Sequence, residues 1–264
     1  MSLPQYSTGR RWFNRSLLAS AITTPLAAIF GRPALARNKQ DAPLPDATES
    51  PDSPMSDMTA NLRQTKRPIE AMSEFLNGFH FYADDLGRQV EANHFCTHLS
   101  EDFHQCVIYD RNQSNAKLIG IEYIVSERVF KSLPDAEKRL WHSHNYEVKS
   151  GELIAVGVTR SAEQAFMKDL VTTYGKTWHT WQIDRHPEFP TGIPQLMMGF
   201  TADGQIKQQM VDDRDQRFGT NTERLKRDRG DIPWPDKVSG ANAWQRGTTV
   251  QLVLREIPVK NLPG

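Results

Sequence analysis

The sequence has few cysteines and no excess of charge of either sign. Two cysteines stand among 264 residues, and 32 basic side chains balance 32 acidic ones. A chain without a basic excess lacks the electrostatic footprint of nucleic-acid binding, so we expect no nucleic-acid partner. The sequence also has no Gly-rich phosphate loop, nucleophile elbow or paired-cysteine zinc motif. The sequence therefore gives no motif that would assign it to the nucleotide-dependent enzymes, the serine hydrolases or the zinc ribbons.

Long apolar runs are missing too, which bears on membrane insertion. The mildly apolar run from Leu17 to Phe30 has 14 residues and contains Pro25. A helix needs roughly 20 apolar residues to span a bilayer, and no later stretch is long and apolar enough to do so. We therefore expect no membrane span in the mature chain.

The N-terminal region has the charge order of an export signal. Arg10, Arg11 and Arg15 precede the apolar run, no acidic residue occurs before it, and an Ala-Leu-Ala cleavage site ends at Ala36. The arginine pair, followed by an aromatic and then a basic residue, resembles a twin-arginine motif. These features predict a twin-arginine-type signal peptide over residues 1–36, with cleavage near Ala36 and a periplasmic or exported location.

Composition divides the rest of the chain into two parts. Residues 37–66 are rich in proline, aspartate, serine and threonine and cannot bury enough apolar surface to offset the entropy of ordering. We predict a disordered linker there. Residues 67–264 have the usual size of one domain. Strand and helix patterns are mixed in that domain without regular alternation, which favours the α+β class: a single domain with a mainly antiparallel sheet and flanking helices.

Local patterns place the elements of this domain. Apolar and β-favouring residues predict strands or extended segments at 94–99, 103–109, 116–125, 146–148, 178–182, 195–200 and 249–257. Helical spacing with start and stop residues predicts helices at 68–77, 135–141 and 161–174. The stretch between 200 and 249, rich in arginine, aspartate and glycine, is expected to be a solvated excursion.

The stretch from His94 to Tyr109 holds both cysteines and three of the chain's eight histidines. A hairpin turn centred on Glu101 would set Cys96 opposite Cys106 and His98 opposite His104, because antiparallel pairing keeps the sum of paired residue numbers constant. Side chains alternate between faces, so the cysteines and histidines share one face. The other face is mostly apolar and is expected to belong to the core.

The two cysteines of this hairpin have two possible states. Cys96 and Cys106 are either small buried side chains or the partners of a cross-strand disulfide. Directly opposed positions bring the Cβ atoms close to the separation that a disulfide needs, and an oxidising compartment would make the bond feasible. The sequence leaves both states open.

Glu122 stands inside the nearly continuous apolar strand predicted at 116–125. A carboxylate there has to be protonated, paired or bound to a cation, because an unpaired buried charge costs several kcal/mol. The hairpin and the segment from Leu140 to Val148 contain no lysine or arginine, but both contain histidines. We therefore predict that His98, His142 and His144 approach one another with Glu122 or Glu147 beside them.

The candidate site is a cluster of imidazoles and carboxylates. Such side chains suit zinc, iron or copper, without choosing between them. The candidate ligand or metal residues are His94, His98, His104, Glu122, His142, His144, Glu147 and His179.

Three interpretations of this cluster stay open. The histidines are ordinary hydrogen-bonding residues of a structural or interaction protein, or they bind a small ligand or metal ion, or they serve an enzyme. In the enzyme, a histidine paired with Glu122 or Glu147 is the general base, or a bound metal activates water in a metal-dependent hydrolase. No catalytic residue or oligomeric state follows from the pattern.

An ordered set of motifs resembles the oil body-associated protein family, over roughly residues 78 to 218. These motifs include Phe79-His80-Phe81-Tyr82, Thr97-His98-Leu99, Gln105-Cys106, Leu118-Ile119-Gly120, Leu140-Trp141-His142-Ser143-His144 and Thr180-Trp181-Gln182. The family has plant, fungal and bacterial members, and its domain is of unknown function. The resemblance thus implies neither a reaction nor catalytic residues. Plant members are linked to lipid droplets, a location that we do not carry over to a chain with an export signal.

Overall fold

The computed structural model of the protein describes residues 65–261. The predicted signal peptide, 1–36, and residues 37–64 of the predicted linker lie outside the described residues. Of the predicted domain, residues 67–261 are described.

The core of the described part is a closed barrel of six antiparallel strands. The strands in chain order are β1 (Glu74–Tyr82), β2 (Asp85–Ser100), β3 (Phe103–Tyr109), β4 (Leu118–Val125), β5 (His142–Ser143), β6 (Ile154–Ala155), β7 (Tyr174–His179) and β8 (Gln195–Met198). The ring runs β1, β2, β3, β4, β7 and β8, and β8 pairs with β1 to close it. The short strands β5 and β6 pair with β7 and β1 on the edges that β8 uses, at residues beyond those that pair with β8. The predicted α+β class with a mainly antiparallel sheet is confirmed, and the sheet is more specifically a barrel.

Helices flank this barrel. They are α1 (Arg67–Glu70), α2 (Glu127–Ser132), α3 (Asp135–Lys138), α4 (Asn145–Ser150), α5 (Arg160–Leu170), α6 (Gln208–Phe218) and α7 (Thr222–Asp228), with a 3₁₀ turn at Ala243–Arg246. Thr159 caps α5 by accepting a hydrogen bond from the amide of Ala162, so the helix begins one residue before the predicted start at 161. Met167 and Leu170 of α5 pack against one end of the barrel.

The predicted register of the β2–β3 hairpin is confirmed. Cys96 pairs with Cys106 and His98 pairs with His104. The prediction that the other, apolar face belongs to the core is wrong: the cysteine face is buried inside the barrel, whereas Leu99 on the opposite face is 53% exposed. In a closed barrel the interior face is the buried one, and here that face carries the polar side chains.

Three predicted elements differ from the structure. The segment 68–77 is a short helix followed by β1, the segment 146–148 lies in α4, and 249–257 forms no strand. In β1 the apolar side chains of Phe75, Phe79 and Phe81 also alternate with the strand period of two, which helical spacing did not separate. The barrel closes through β8 and β1, so no free barrel edge is left for the last segment. The stretch between 200 and 249 is not all loop, since it contains α6 and α7.

The barrel interior has apolar layers on both sides of a polar one. Along β2 the inward residues are Ala92, His94 and Cys96, and along β4 Glu122 lies between Gly120 and Ile124. Ala92 belongs to one apolar cluster and Cys96 and Ile124 to another. The imidazoles and the carboxylate therefore lie between two dry layers, where hydrogen bonds and charges are felt strongly.

Candidate metal centre

Glu122 is the centre of the polar layer. Strand β4 places it inside the barrel opposite Cys106 on β3 and Thr177 on β7, and it is 2% exposed. Its neighbours on the strand are apolar or glycine, so the carboxylate has no route to solvent along its own element. Its partners have to come from other strands.

Four histidines surround this carboxylate. The Oε2 atom lies 2.8 Å from Nε2 of His94 and 3.5 Å from Nε2 of His80. The Oε1 atom lies 3.1 Å from Nε2 of His144 and 3.5 Å from Nε2 of His142. All four imidazoles are 4% exposed or less. A single carboxylate thus has an imidazole nitrogen from four directions.

Separate elements deliver these histidines. His80 comes from β1 and His94 from β2, both pointing inward with the strand alternation. Strand β5 pairs with β7 through His142 and Gly175, which lays His142 and the following His144 against the barrel at Glu122. His144 is also the residue that precedes α4. The short strand explains why a His-x-His pair can place both rings on one carboxylate.

Two glycines make room for this packing. A Cβ atom at Gly175 would lie 2.0 Å from Oε1 of Glu122 and 2.7 Å from Nε2 of His144. A Cβ atom at Gly199 would lie 2.4 Å from Oε2 of Glu147. Real Cβ atoms do not approach so closely, so any larger residue would displace the carboxylates. The site therefore requires glycine at both positions.

The tautomer of His144 follows from its other contact. Its Nδ1 atom lies 2.7 Å from the hydroxyl of Thr173, and that hydroxyl donates to the carbonyl of Leu170 at 2.8 Å. The hydroxyl therefore accepts from Nδ1, and in a neutral ring Nε2 is left as the acceptor. This lone pair points at Oε1 of Glu122. Two acceptors in contact need a proton or a metal ion between them.

Several buried atoms of the cluster have no hydrogen-bond partner. Both ring nitrogens of His142, both of His94, Nδ1 of His179 and Oε2 of Glu147 are in this state. His94 comes within 2.8 Å of Glu122, but not at the angle of a hydrogen bond. We therefore treat that pair as an electrostatic contact. Each unsatisfied buried group costs about 1–3 kcal/mol, so such a concentration needs an explanation.

Burial and mutual charge set the protonation of the cluster. Burial lowers the pKa of His80 well below its usual value and the pKa values of His142 and His179 to about 3. Burial also pushes the pKa of Glu122 upward, but the contacts of His144 and His94 outweigh it and hold that pKa well below the usual range. The result is an ionised carboxylate beside the neutral imidazoles of His80 and His142, the state in which these groups act as metal ligands.

Glu147 is a second buried carboxylate at the edge of the cluster. It lies on α4, is 3% exposed, and its Oε2 atom is 3.8 Å from Nε2 of His142. Burial, with the charge of Glu122 nearby, raises its pKa well above the usual range. The two carboxyl groups thus differ in protonation although a single imidazole lies between them.

Some predicted residues lie outside this cluster. The structure brings together His94, Glu122, His142, His144 and Glu147. His179 contacts the cluster through His80, since its Nε2 atom lies 3.3 Å from Nδ1 of His80. His98 is exposed and stacks on His104 with ring centroids 4.4 Å apart, and Nδ1 of His104 is 3.0 Å from Glu74. The predicted approach of His98 to His142 and His144 is wrong. His98 is four residues beyond His94, roughly 13 Å along an extended strand.

The two cysteines lie beside the site. Cys96 and Cys106 form a cross-strand disulfide with an S–S distance of 1.99 Å, and Cys106 pairs with Glu122 across β3 and β4. The disulfide joins the strand of His94 to the strand next to Glu122.

His80 is the cluster residue that the sequence-based list omits. Its signal was a lone polar residue between Phe79 and Phe81, the same type of signal that singled out Glu122 on β4. The predicted helix at 68–77 with a stop at Gly78 hid it, because a strand beginning at Glu74 is needed to place His80 inside a sheet.

The fold and site define a class: a six-stranded antiparallel barrel with a buried histidine–glutamate cluster. A family model described as "Protein of unknown function (DUF1264)" matches residues 66–233. Oil body-associated protein 1B of Arabidopsis thaliana is 42% identical over 82% of this chain and 90% of its own length. Oil body-associated protein 1A of Zea mays is 44% identical over 75% of this chain and 84% of its own length. The chain belongs to the oil body-associated protein family. No solved structure matches it.

These relatives correct the predicted location. They are plant proteins named for oil bodies, so the prediction of a periplasmic or exported protein is wrong. Sequence reasoning took a basic N-terminus with an apolar run as an export signal, and the relatives do not support that assignment. Among the described residues, no helix has the length and apolar character needed to cross a membrane.

Proposed function

We propose that the barrel binds one divalent transition-metal ion through Glu122 and the histidines around it. The observation that carries this proposal is the convergence of four imidazole nitrogens on one buried carboxylate, at 2.8 to 3.5 Å. Donors held about 2.0–2.2 Å from a common ion are roughly 3.0–3.5 Å from each other in tetrahedral or octahedral coordination. The observed distances between the histidine nitrogens and the carboxylate oxygens are close to these distances between two ligands of one ion.

The orphaned atoms support the same conclusion. His142 is wholly buried and neither of its ring nitrogens has a hydrogen-bond partner. A structural histidine in a core normally satisfies both nitrogens, because the cost of leaving them unpaired is avoidable. A metal ion would satisfy Nε2 of His142 and Nε2 of His94 at once. It would also separate the lone pair of His144 from Glu122.

One ion fits the arrangement better than two. Two overlapping groups have ligand atoms close enough to share an ion, namely His80, Glu122 and His142, and His142, His144 and Glu147. Both groups use Nε2 of His142, at 3.5 Å from Glu122 and 3.8 Å from Glu147. One nitrogen lone pair binds one ion. We assign His80, His94, Glu122, His142 and His144 to the ion's surroundings and Glu147 to an outer position.

The donor set restricts the metal. Imidazole and carboxylate ligands suit zinc, iron, manganese or copper, whereas calcium and magnesium prefer oxygen alone. The Cys96 and Cys106 sulfur atoms are joined to each other and are not available as thiolate ligands. We therefore propose a nitrogen-rich site rather than a thiolate one.

Metal analysis tests the proposal. Untagged protein purified without added metal, or dialysed against one metal at a time, is expected to hold about one ion per chain. The ion is lost from His142→Ala and from Glu122→Gln, and it is retained in the matched control His98→Ala, which removes an exposed histidine of the same domain. Metal-free wild type that takes up none of the four metals, with a melting temperature unchanged by chelator, would overturn the proposal and favour a structural cluster.

Hydrolysis by metal-activated water is a second candidate, and Glu147 is the observation that favours it. This buried carboxyl group lies 3.8 Å from a proposed ligand, with Oε2 unpartnered, where it could exchange a proton with metal-bound water. A screen of ester, phosphoester and amide substrates with metal-loaded protein tests it. Activity that Glu147→Gln removes without removing the metal supports an enzyme, and no turnover of any substrate class removes this candidate.

The names of the relatives favour a location at oil bodies. We propose that this chain too associates with the surface of such a body, as those proteins are named to do. Flotation with a phospholipid-coated triacylglycerol emulsion measures this directly. Protein that stays in the aqueous layer at low and moderate salt would contradict it.

A further inference from the structure

His179 is buried beside the proposed metal site but belongs to neither of its two groups of candidate ligands. It lies on β7, is fully buried, and pairs with Gly120 on β4. A Cβ atom at residue 120 would lie 2.9 Å from Cδ2 of the imidazole, so the glycine leaves the space that this ring fills. The ring therefore has a defined position next to the histidine cluster.

The two ring nitrogens of His179 differ in their surroundings. Its Nε2 atom lies 3.3 Å from Nδ1 of His80 in hydrogen-bond geometry, whereas its Nδ1 atom is buried with no partner among the described residues. The other nitrogen of His80, Nε2, lies 3.5 Å from Oε2 of Glu122. The contacts thus run in a line from Glu122 through His80 to His179.

The proton positions of the two rings are coupled across this contact. Burial lowers the pKa of both histidines, so each ring is neutral and carries one proton near pH 7. Of the two nitrogens that face each other, one donates and the other accepts, because two lone pairs or two N–H groups would repel at 3.3 Å. Either both rings carry their proton on Nδ1, or both carry it on Nε2.

The group that Nε2 of His80 faces selects between these two states. Without a metal ion, the carboxylate of Glu122 favours an N–H group at Nε2, because a lone pair there would be repelled by the anion. Both protons then lie on Nε2. A metal ion binds the lone pair of Nε2 instead, since a ligand nitrogen has to be unprotonated. Both protons then lie on Nδ1, and His80 donates to His179.

We propose that His179 is a positioning residue of the metal site: it accepts a hydrogen bond from Nδ1 of metal-bound His80, and metal binding changes the tautomer of both rings together. This inference rests on the proposed metal site. The protons balance, because His179 passes its Nε2 proton to Nδ1 of His80, and the proton displaced from Nε2 of His80 is made up by the one gained at Nδ1 of His179. Such an acceptor fixes the orientation of a ligand ring and raises its basicity.

The surroundings of His179 support this role over a purely structural one. Its ring lies edge-on to the ring of Tyr82, with centroids 6.5 Å apart, and Tyr82 belongs to an apolar cluster of the barrel interior. In the described part of the chain, the contact with His80 is the one hydrogen bond that the ring of His179 makes. A buried polar group left half satisfied needs an explanation, and support of a metal ligand supplies it.

Nitrogen NMR of the full chain labelled with nitrogen-15 in histidine tests the proposal on the unaltered protein. Zinc is the probe metal because it is diamagnetic, so both forms give spectra. In chelator-treated protein, the ring shifts are expected to show the protons of His80 and His179 on Nε2, and in zinc-loaded protein on Nδ1. A ring of His179 that has the same tautomer in both forms overturns the proposal.

The zinc affinity of three variants gives a second test. His179→Phe keeps a ring of similar size but removes the acceptor, and it is expected to weaken zinc binding about 10- to 100-fold. His179→Gln restores most of the affinity, because its side-chain oxygen accepts from Nδ1 of His80. His98→Phe, the same change at an exposed histidine, leaves the affinity unchanged. Melting temperatures of the metal-free variants check that each one folds.

These measurements separate the failure of this inference from the failure of the metal site. Zinc binding by His179→Phe that is as tight as in the wild type overturns the positioning role and leaves the metal site standing. A loss in His179→Gln as large as that in His179→Phe does the same. A wild type that binds no metal overturns the metal site and the role of His179 together. If His179→Phe does not fold, the spectra of the wild type decide.

Discussion

Two of the buried polar regions in the described part of the chain differ in how their charges are paired. Arg214 is fully buried, and its guanidinium bonds the carbonyls of Gly151 and Glu152, the side chains of Asn77 and Thr222, and the carboxylate of Asp215. Each of the three guanidinium nitrogens donates at least one hydrogen bond. Around Glu122, by contrast, ring nitrogens of neighbouring histidines have none.

The contrast separates structure from function. Arg214 bonds the chain just after α4, and Lys149 on α4 donates to the carbonyls of Arg229 and Gly230. These contacts hold α4, and with it Glu147, against the barrel. A satisfied buried charge of this kind stabilises a fold, whereas an unsatisfied one of equal burial calls for a ligand. The central claim is that the ligand is a metal ion.

The largest expected effect comes from a substitution at Arg214, the buried charge whose hydrogen bonds are all made. Arg214→Ala leaves the backbone carbonyls of Gly151 and Glu152 and the side-chain oxygen of Asn77 without the donor they have in the wild type, and it opens a cavity over Phe79. We expect a loss of about 3–5 kcal/mol in the free energy of unfolding, measured by urea denaturation. The surface control Arg128→Ala, which removes an exposed ion pair, should change it by less than about 1 kcal/mol. A loss at Arg214 as small as that of the control would contradict the structural role.

The pH dependence of the same region gives the next effect. Burial raises the pKa of Glu152 to about 8 although Arg214 lowers it. The unfolded chain releases this proton near its ordinary pKa of about 4.3, so the folded state binds more protons between the two values. Glu152 should therefore lower the free energy of unfolding as pH rises from about 4.5 to 8, by about 1.4 kcal/mol per unit at most, whereas His142 and His179, whose pKa values are lowered, raise it over the range below about 6.5. The difference between wild type and Glu152→Gln in denaturation curves isolates the contribution of Glu152, and a difference that does not change with pH would count against the assignment.

Gly175→Ala perturbs the cluster around Glu122 instead. The added methyl group would lie 2.0 Å from Oε1 of Glu122, so the carboxylate has to move. We expect an overpacking cost of about 1–3 kcal/mol and loss of the bound metal. Gly204→Ala is the control, because a Cβ atom there meets nothing within 4 Å, although its positive φ adds some strain. Metal content, measured by elemental analysis, should fall in the first variant alone. Equal metal in both would place the ion away from Glu122.

The smallest expected effect concerns Glu122 in metal-free protein. Glu122→Gln removes a buried negative charge but keeps the shape of the side chain. The histidine contacts that hold the pKa of Glu122 below its usual range favour the charged form in the folded state, so we expect a small loss of about 1–2 kcal/mol in the free energy of unfolding. Denaturation of both proteins in the presence of chelator measures it. An increase in the free energy of unfolding would mean that the histidines do not offset the burial of this charge.

Much of the site was predictable because buried charge leaves a signal in sequence. Glu122 within an apolar strand was enough to predict histidine partners, and the absence of lysine and arginine nearby pointed to His142 and His144. The hairpin register also followed from the sequence, since a short turn fixes which residues pair. The position of each histidine along the barrel axis did not follow from the sequence. His98 shares a face with His94 but lies too far along the strand to reach Glu122.

Other features depend on contacts between distant segments. Closure of the barrel rests on pairing of β1 with β8, where Tyr82 pairs with Met197, and no local pattern encodes that contact. His80 was hidden first by the helix predicted at 68–77, and a correctly predicted β1 would still not have placed it, because only the closed ring turns β1 toward Glu122. The burial of the cysteine face likewise follows from closure. Local patterns were enough to predict the α+β class, but predicting the barrel would have required knowing which distant strands pair.

Anomalous diffraction from crystals of the metal-bound protein tests the central claim most directly. Data collected on both sides of the absorption edge of the bound metal should show one strong peak inside the barrel, within about 2.0–2.3 Å of Glu122 and of ring nitrogens of His94, His142 and His144. His80 is expected as a further ligand. A barrel interior without an anomalous peak in crystals that contain stoichiometric metal, or a peak at His98 and His104 on the surface instead, would contradict the account.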